Sequence, residues 1–220
     1  MNLKNLRIIR KLRNFYYFCK TIESHRNYNH GNGNIVKNEG LKVKNIIQFN
    51  GNNNKIYIED GAVLKGTTIS IIGSNCLVRL KKNSYVSDAE IFIEDMNCTV
   101  EVGANTFIGN RTHLACTEDN SSVIIGDDCL ISAFCQIRTG DSHSLVDSSG
   151  KRLNPAASVM IGRHCWLGEG CKVLKGVCLC ENTVISTGAI VTRSFGANCI
   201  LAGVPAKVIK ENINWDYRRL

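Results

Sequence analysis

Residues 161–195 read I-G-R-H-C-W, L-G-E-G-C-K, V-L-K-G-V-C, L-C-E-N-T-V, I-S-T-G-A-I, V-T-R-S-F. The first position of each phrase is Ile161, Leu167, Val173, Leu179, Ile185 and Val191, all aliphatic. The fifth is Cys165, Cys171, Val177, Thr183, Ala189 and Phe195, mostly small, and Gly162 and Gly168 fill the second. A helix spaces its apolar residues at three and four, and a simple strand alternates at two. A strict period of six fits neither. It fits a short strand that points one aliphatic side chain inward and then rounds a corner. A small residue fits beside that corner, and glycine relieves its backbone. Three such faces close a coil of about 18 residues, and stacked coils bury their aliphatics against one another.

The same frame extends backwards. Ile125, Ile131 and Ile137 open I-G-D-D-C-L, I-S-A-F-C-Q and I-R-T-G-D-S, and Cys129 and Cys135 again take the fifth position. Further upstream Val36, Ile58, Leu80 and Val102 stand 22 apart, and Ile125 follows after 23. These read as wider coils of one continuous solenoid. The expected division is a basic amphipathic segment over 1–30, a β-helix over 31–203 with a loop extruded at 142–158, and a short helical tail over 204–220.

Composition bounds the rest. The chain has 220 residues, 44% of them hydrophobic, and two prolines, so it is not a disordered chain. No apolar run reaches the ~18 residues of a membrane span, and the charged N-terminus lacks the apolar core of a signal peptide. Eleven cysteines suggest disulfides at first, but the number is odd and no CxxC pair occurs. Several fall at the fifth position of a phrase, so they read as small core residues of a cytoplasmic protein. The net charge is +8, and residues 1–30 supply +6 of it through Lys4, Arg7, Arg10, Lys11, Arg13, Lys20 and Arg26 against Glu23. The high pI thus belongs mainly to one segment, and with no recognition motif beside it a nucleic-acid role is not indicated.

The ladder breaks once in its best-defined region. After Ile137 comes R-T-G-D-S-H-S-L-V-D-S-S-G-K-R-L-N-P-A-A-S before the repeat resumes near Val159. Polar residues, Gly150 and Pro155 mark an excursion, and long loops on a rigid scaffold often carry function. From Ile137 to Gly170 the sequence resembles the hexapeptide-repeat acetyltransferases that use acetyl-CoA, among them the serine, galactoside/maltose and xenobiotic enzymes. The residues that carry the resemblance are His143 where the chain leaves the coil, Asn154-Pro155, and I-G-R-H-C-W-L-G. The ending L-A-G-V-P-A-K-V-I-K at 201–210 is similar too. D-S-H followed by W-L-G looks most like O-acetyltransferases of surface polysaccharides, those of sialic-acid capsules and O-antigen. The resemblance covers residues 100–212 and the upstream repeats only in style.

It implies a left-handed parallel β-helix, a homotrimer with active sites between subunits, acetyl-CoA as co-substrate, no metal, and a sugar or polysaccharide acceptor. Handedness does not follow from the period itself. Acetyl transfer to a hydroxyl needs a base, and histidine's ordinary pKa of ~6.5 suits the task. His143 is assigned that role, with direct attack on the thioester and no acyl-enzyme. Asp141 either orients the imidazole or is simply a corner residue. Trp166, sixth in its phrase, is expected to point outward, as a binding surface or a trimer contact. Gly168, Thr187, Gly188 and Ala189 fall where the resemblance places a pantetheine arm. Lys207 corresponds to the family's basic residue near the CoA phosphates. Arg193 is a second cation there, with a solvated turn residue as its plainer reading.

Leu3, Leu6, Ile9, Leu12 and Phe15 or Tyr16 recur at three or four residues with cations between them, an amphipathic basic helix. It reads as a cap over the first coil, as a guide for an acidic polymer, or as a peripheral contact, through residues 1–20, with the inner membrane surface. The same fold serves other functions. A γ-type carbonic anhydrase needs three histidines around zinc; of His25, His30, His113, His143 and His164 only His25 and His30 show its H-x-x-x-x-H spacing, and they lie ahead of the well-defined repeats. N-acetyltransferases of amino sugar nucleotides usually carry an extra N-terminal domain, and serine or xenobiotic acceptors are further alternatives. A non-catalytic scaffold leaves the His143 loop unexplained.

Overall fold

The computed structural model describes residues 26–220. Its strands form three sheets of eight, seven and nine members, one per face of a solenoid and parallel throughout except for the last strand. The architecture is the parallel β-helix expected from the repeat, with the left hand that the family resemblance implied. Inward positions stack rung on rung. On the second face Ile58, Leu80, Val102, Ile125, Ile161 and Leu179 lie in register. On the third, Ile108, Ile131, Leu167, Ile185 and Leu201 do the same, and on the first Leu114, Ile137, Val173 and Val191. All of these side chains are buried. Eight of the ten described cysteines are buried and all ten are free, as core packing rather than cross-linking requires.

Three details depart from the sequence reading. Val36 does not share the rung of Ile58. It pairs with Ile56, and Asn38 takes the place beside Ile58. The corner after Asn38 is only Glu39-Gly40, whereas the corner after Ile58 runs from Glu59 to Ala62. The 22-residue spacing to Val36 is therefore a coincidence of a shorter first corner. The expected helical tail is also absent. Ala206–Glu211 is a strand, antiparallel to Cys199–Gly203 across a turn at Val204-Pro205. Alternating Val208 and Lys207 with an unpaired sheet edge beside them favour a ladder over a helix. Among the described residues there is no α-helix, and none that could cross a membrane. Among the described residues Arg26–His30 is already a strand, ahead of the expected boundary at 31. The N-terminal helix falls outside the described residues.

Corners repeat as well. Between the third and first faces Lys44, Gly66, Asp88, Arg111, Phe134, Gly170 and Gly188 all have positive φ. For a bulky side chain this is costly. Phe134 nevertheless holds φ 60, stays about half exposed and lies under the Arg111 guanidinium, 5.5 Å from its ring centroid.

One column on the outward side of the third face is apolar, with Val63 and Val184 buried and Phe107 and Trp166 the most exposed. Leu41, Val63, Tyr85, Phe107, Leu130, Trp166, Val184 and Ile200 form one column in register. Tyr85 and Phe107 stack at 5.7 Å.

Candidate active site

The first-face strand Gln136–Arg138 and the second-face strand Val159–Ile161 are joined by the long excursion. The break in the ladder is thus a loop thrown out of one corner. It folds back on itself. Val146 and Arg152 form an antiparallel bridge, and Leu153 N donates to Leu145 O at 2.7 Å. At the tip the Asp147 carboxylate accepts from Ser149 N and Lys151 N, closing a side-chain-capped turn.

Asn154 fixes the stem. It is buried, its Oδ1 accepts from Leu145 N at 2.6 Å, and its Nδ2 donates to Asp141 Oδ2 at 2.9 Å and to His143 O at 2.8 Å. One amide therefore ties both limbs together and sets the backbone that carries His143. The ring itself is exposed, and among the described residues no side-chain hydrogen bond restrains it. Asp141 does not hold the imidazole. Its Oδ2 also accepts from Lys175 Nζ at 2.6 Å. The Lys175 ammonium first, and the Asn154 amide second, keep its carboxyl below the usual carboxylate range. Asp141 thus anchors the loop to the next coil, and a carboxylate already committed to an ammonium is occupied.

The returning limb is anchored separately. Arg152 makes a bidentate pair with Glu118, whose Oε2 also accepts from Ala156 N at 3.2 Å. Arg152 is the main reason the Glu118 carboxyl lies below its ordinary value. An open groove of about 510 Å³ runs beside this limb, between Asp95, Glu118 and Asp119 on one side and Pro155 to Ser158 on the other. The same corner is acidic on the N-terminal side of the loop and basic beyond it, where Lys175 and then Arg193 follow.

The remaining expected residues are spread around the coil. Trp166 sits on the third face, 39% exposed as anticipated, and paired in register with Leu130 and Val184. Within one chain it does not meet the His143 loop, which leaves from a different corner. Thr187 and Gly188 are exposed at the corner between third and first faces, while Gly168 and Ala189 are buried there. Gly168 has a packing reason: a Cβ would lie 2.6 Å from Thr187 N and 2.7 Å from Ile185 O. Lys207 is exposed on the last strand, opposite Ala202. Arg193 is exposed, its guanidinium over Phe195 at 5.1 Å.

Lys175, Glu118 and Arg152 were not singled out in the sequence. Lys175 was within reach: Ile137 pairs with Val173, so Thr139, at the foot of the loop, and Lys175 share a rung position. Among the described residues no cluster of three or more metal-ligating side chains occurs.

Known proteins bear on this geometry. A model of the hexapeptide repeat of succinyl-transferase matches residues 99–133 and 158–193, and leaves out the loop between them. The polysialic acid O-acetyltransferase of Neisseria meningitidis is 32% identical over 197 residues, covering 84% of this chain and 86% of that protein. The chain belongs to the hexapeptide-repeat acetyltransferases. The family member of Escherichia coli O1:K1, also a polysialic acid O-acetyltransferase, is 35% identical over 143 residues, and this chain spans 44% of its length. Two solved family structures superpose closely. The polySia specific acetyltransferase NeuO is 35% identical with a TM-score of 0.84, covering 89% of this chain and 90% of that one. The polysialic acid O-acetyltransferase OatWY is 29% identical with a TM-score of 0.77, covering 90% and 93%.

Proposed function

We propose that the protein moves the acetyl group of acetyl-CoA to a hydroxyl of a bacterial surface polysaccharide, with polysialic acid capsule as the first acceptor and O-antigen as the related one. The observation that carries this reading is His143, exposed on a stem fixed by Asn154, in a chain whose relatives are named for polysialic acid O-acetylation. The imidazole takes the hydroxyl proton as the oxygen attacks the thioester carbonyl. The tetrahedral intermediate collapses, coenzyme A leaves as the thiol after accepting that proton, and the acetyl ester remains on the sugar. Donor and acceptor are both anionic. Arg193 and Lys207, beyond the loop, suit them better than the acidic groove before it.

The active unit is a homotrimer with the site between subunits. Two observations support this. The third face carries an apolar column that ordinary solvent exposure does not explain. His143 and Trp166 also stand on different parts of one coil, so a second copy is needed to bring a Trp166 to a His143. The enzyme works in the cytoplasm, where acetyl-CoA is made, and the basic residues 1–20 offer a contact with the inner membrane surface.

The test is incubation with labelled acetyl-CoA and a panel of polysaccharides and sugar precursors, using wild type and His143→Ala. Label is expected in polysialic acid with wild type and not with the variant, while coenzyme A binding persists. Near-normal turnover by His143→Ala would remove the base assignment. Transfer to serine or a xenobiotic instead would replace the acceptor class. Liposome co-sedimentation of the intact and Δ1–30 proteins tests the membrane contact, and equal behaviour would sink it.

A further inference from the structure

The segment after the last strand has no regular structure, yet it is not loose. Residues 212–220 run back along the corner between the second and third faces. Ile213 N donates to Asn198 O at 3.1 Å, and Asn182 Nδ2 donates to Ile213 O at 2.7 Å. Trp215 Nε1 donates to His164 O at 2.8 Å, and His164 Nε2 lies 3.1 Å from Trp215 O. Tyr217 OH donates to Asp128 O at 2.9 Å. Asn198, Asn182, His164 and Asp128 are the positive-φ corner residues of four successive coils. The segment is a strap laid over four equivalent corners.

The strap delivers one side chain to one place. The Trp215 indole stacks on His164 with centroids 4.4 Å apart and planes 8° from parallel. Its other neighbours are Tyr217, edge-on at 4.6 Å, and Trp166 at 5.9 Å and 44°. Trp166 lies in a two-residue strand, Trp166–Leu167, and points away from the core. Such a side chain has several staggered rotamers open to it unless a neighbour removes them. Trp215 is that neighbour, and it is itself held by two hydrogen bonds and a stack.

We propose that Trp215 is a positioning residue for Trp166. Resting on the transfer reaction proposed above, the strap fixes the Trp166 indole in the orientation in which it lines the site of acetyl transfer. A cap needed only to cover the corner could use any apolar side chain. The paired hydrogen bonds to His164 and the near-parallel stack instead fix the angle of the ring that meets Trp166.

The chain has only two tryptophans, which makes the inference testable in the full-length protein. Trp215→Ala and Trp215→Phe each leave Trp166 as the only emitter. Acrylamide quenching of Trp166 is expected to be at least twofold stronger in Trp215→Ala than in Trp215→Phe, since the phenyl ring still stacks on His164. In acetyl transfer from acetyl-CoA to polysialic acid, kcat should fall between about tenfold and a hundredfold in Trp215→Ala, the scale of a small misplacement of a reacting group. The KM for acetyl-CoA should stay within twofold, and Trp215→Phe should recover most of the loss. Wild-type kcat in Trp215→Ala, or equal quenching in the two variants, overturns the inference. If Trp215→Ala does not fold, Trp215→Leu, which keeps an apolar side chain over the corner but neither the indole N–H nor the flat ring, takes its place in both measurements. If wild type acetylates no sugar acceptor, the function reading has failed, and the quenching comparison decides the inference alone.

Discussion

Lys175 holds Asp141 at 2.6 Å, joining the foot of the His143 loop to the next coil. The pair is partly exposed, so it contributes little to global stability. Its effect is local. Lys175→Met is expected to lower kcat about tenfold by loosening the loop stem, with an unchanged melting temperature. A steady-state assay beside a thermal melt checks this, and unchanged kcat would show that Asn154 alone suffices.

Asn154→Ala should cost more than Lys175→Met. It removes the bonds to Leu145 N, His143 O and Asp141 Oδ2 together. Each such hydrogen bond contributes about 0.5–1.5 kcal/mol. The expected result is faster proteolysis within 142–153 and a loss of turnover, both read on the folded protein.

The carboxyls of Asp141 and Glu118 lie below their ordinary values because Lys175 and Arg152 favour the charged forms. A depressed folded-state pKa gives stabilisation that is complete above the ordinary carboxylate range, ~3.9–4.3, and is lost as pH falls through the folded-state values. Loop anchoring should therefore be constant from pH 5 upward and weaken below about pH 4. Cleavage by an acid-active protease, compared at pH 3 and pH 5, measures it. Any activity change between pH 5 and 9 has another source.

Gly168 and Gly188 both fall on the pantetheine path that the resemblance implies, and their surroundings differ. A Cβ on Gly168 collides with the backbone of the next coil, so Gly168→Ala should destabilise by about 1–3 kcal/mol or more. A Cβ on Gly188 meets nothing within 4 Å, though its φ of +69 disfavours any other residue. Gly188→Ala should cost about 1 kcal/mol of stability and raise the KM for acetyl-CoA. Thermal melts and donor titrations distinguish the two.

Phe107 is the partner of Tyr85 in the apolar column of the third face. Phe107→Glu places a charge in that column without touching the core. Light scattering is expected to show a shift from trimer to monomer, with activity lost in parallel. A trimer that survives would place the subunit contact elsewhere.

The rungs from Ile125 onward could be read because their period is strict, and each first-position aliphatic is indeed buried. Upstream, the corners vary in length, and the pattern of first positions cannot reveal which corner is short. That is why Val36 was misplaced. The last strand escaped notice because its partner is the solenoid's own edge, a relation between segments rather than a local pattern. At the site, His143, Asn154 and Trp166 were visible as residue types at an interruption. The role of Asp141 was not, since it depends on Lys175, which lies 34 residues further along the chain. Trp215 likewise acquires meaning only once the strap lies over His164.

Ile137 and Ile161 open neighbouring phrases but stand 24 residues apart instead of six. Eighteen residues are therefore added to the chain without adding a rung. Val159–Ile161 pairs with Val123–Ile125 as if they were absent. The scaffold and the reactive element are thus separable units. An excision of 18 residues between Gly140 and Val159 restores the frame, and a loop of another sequence could be grafted at the same seam.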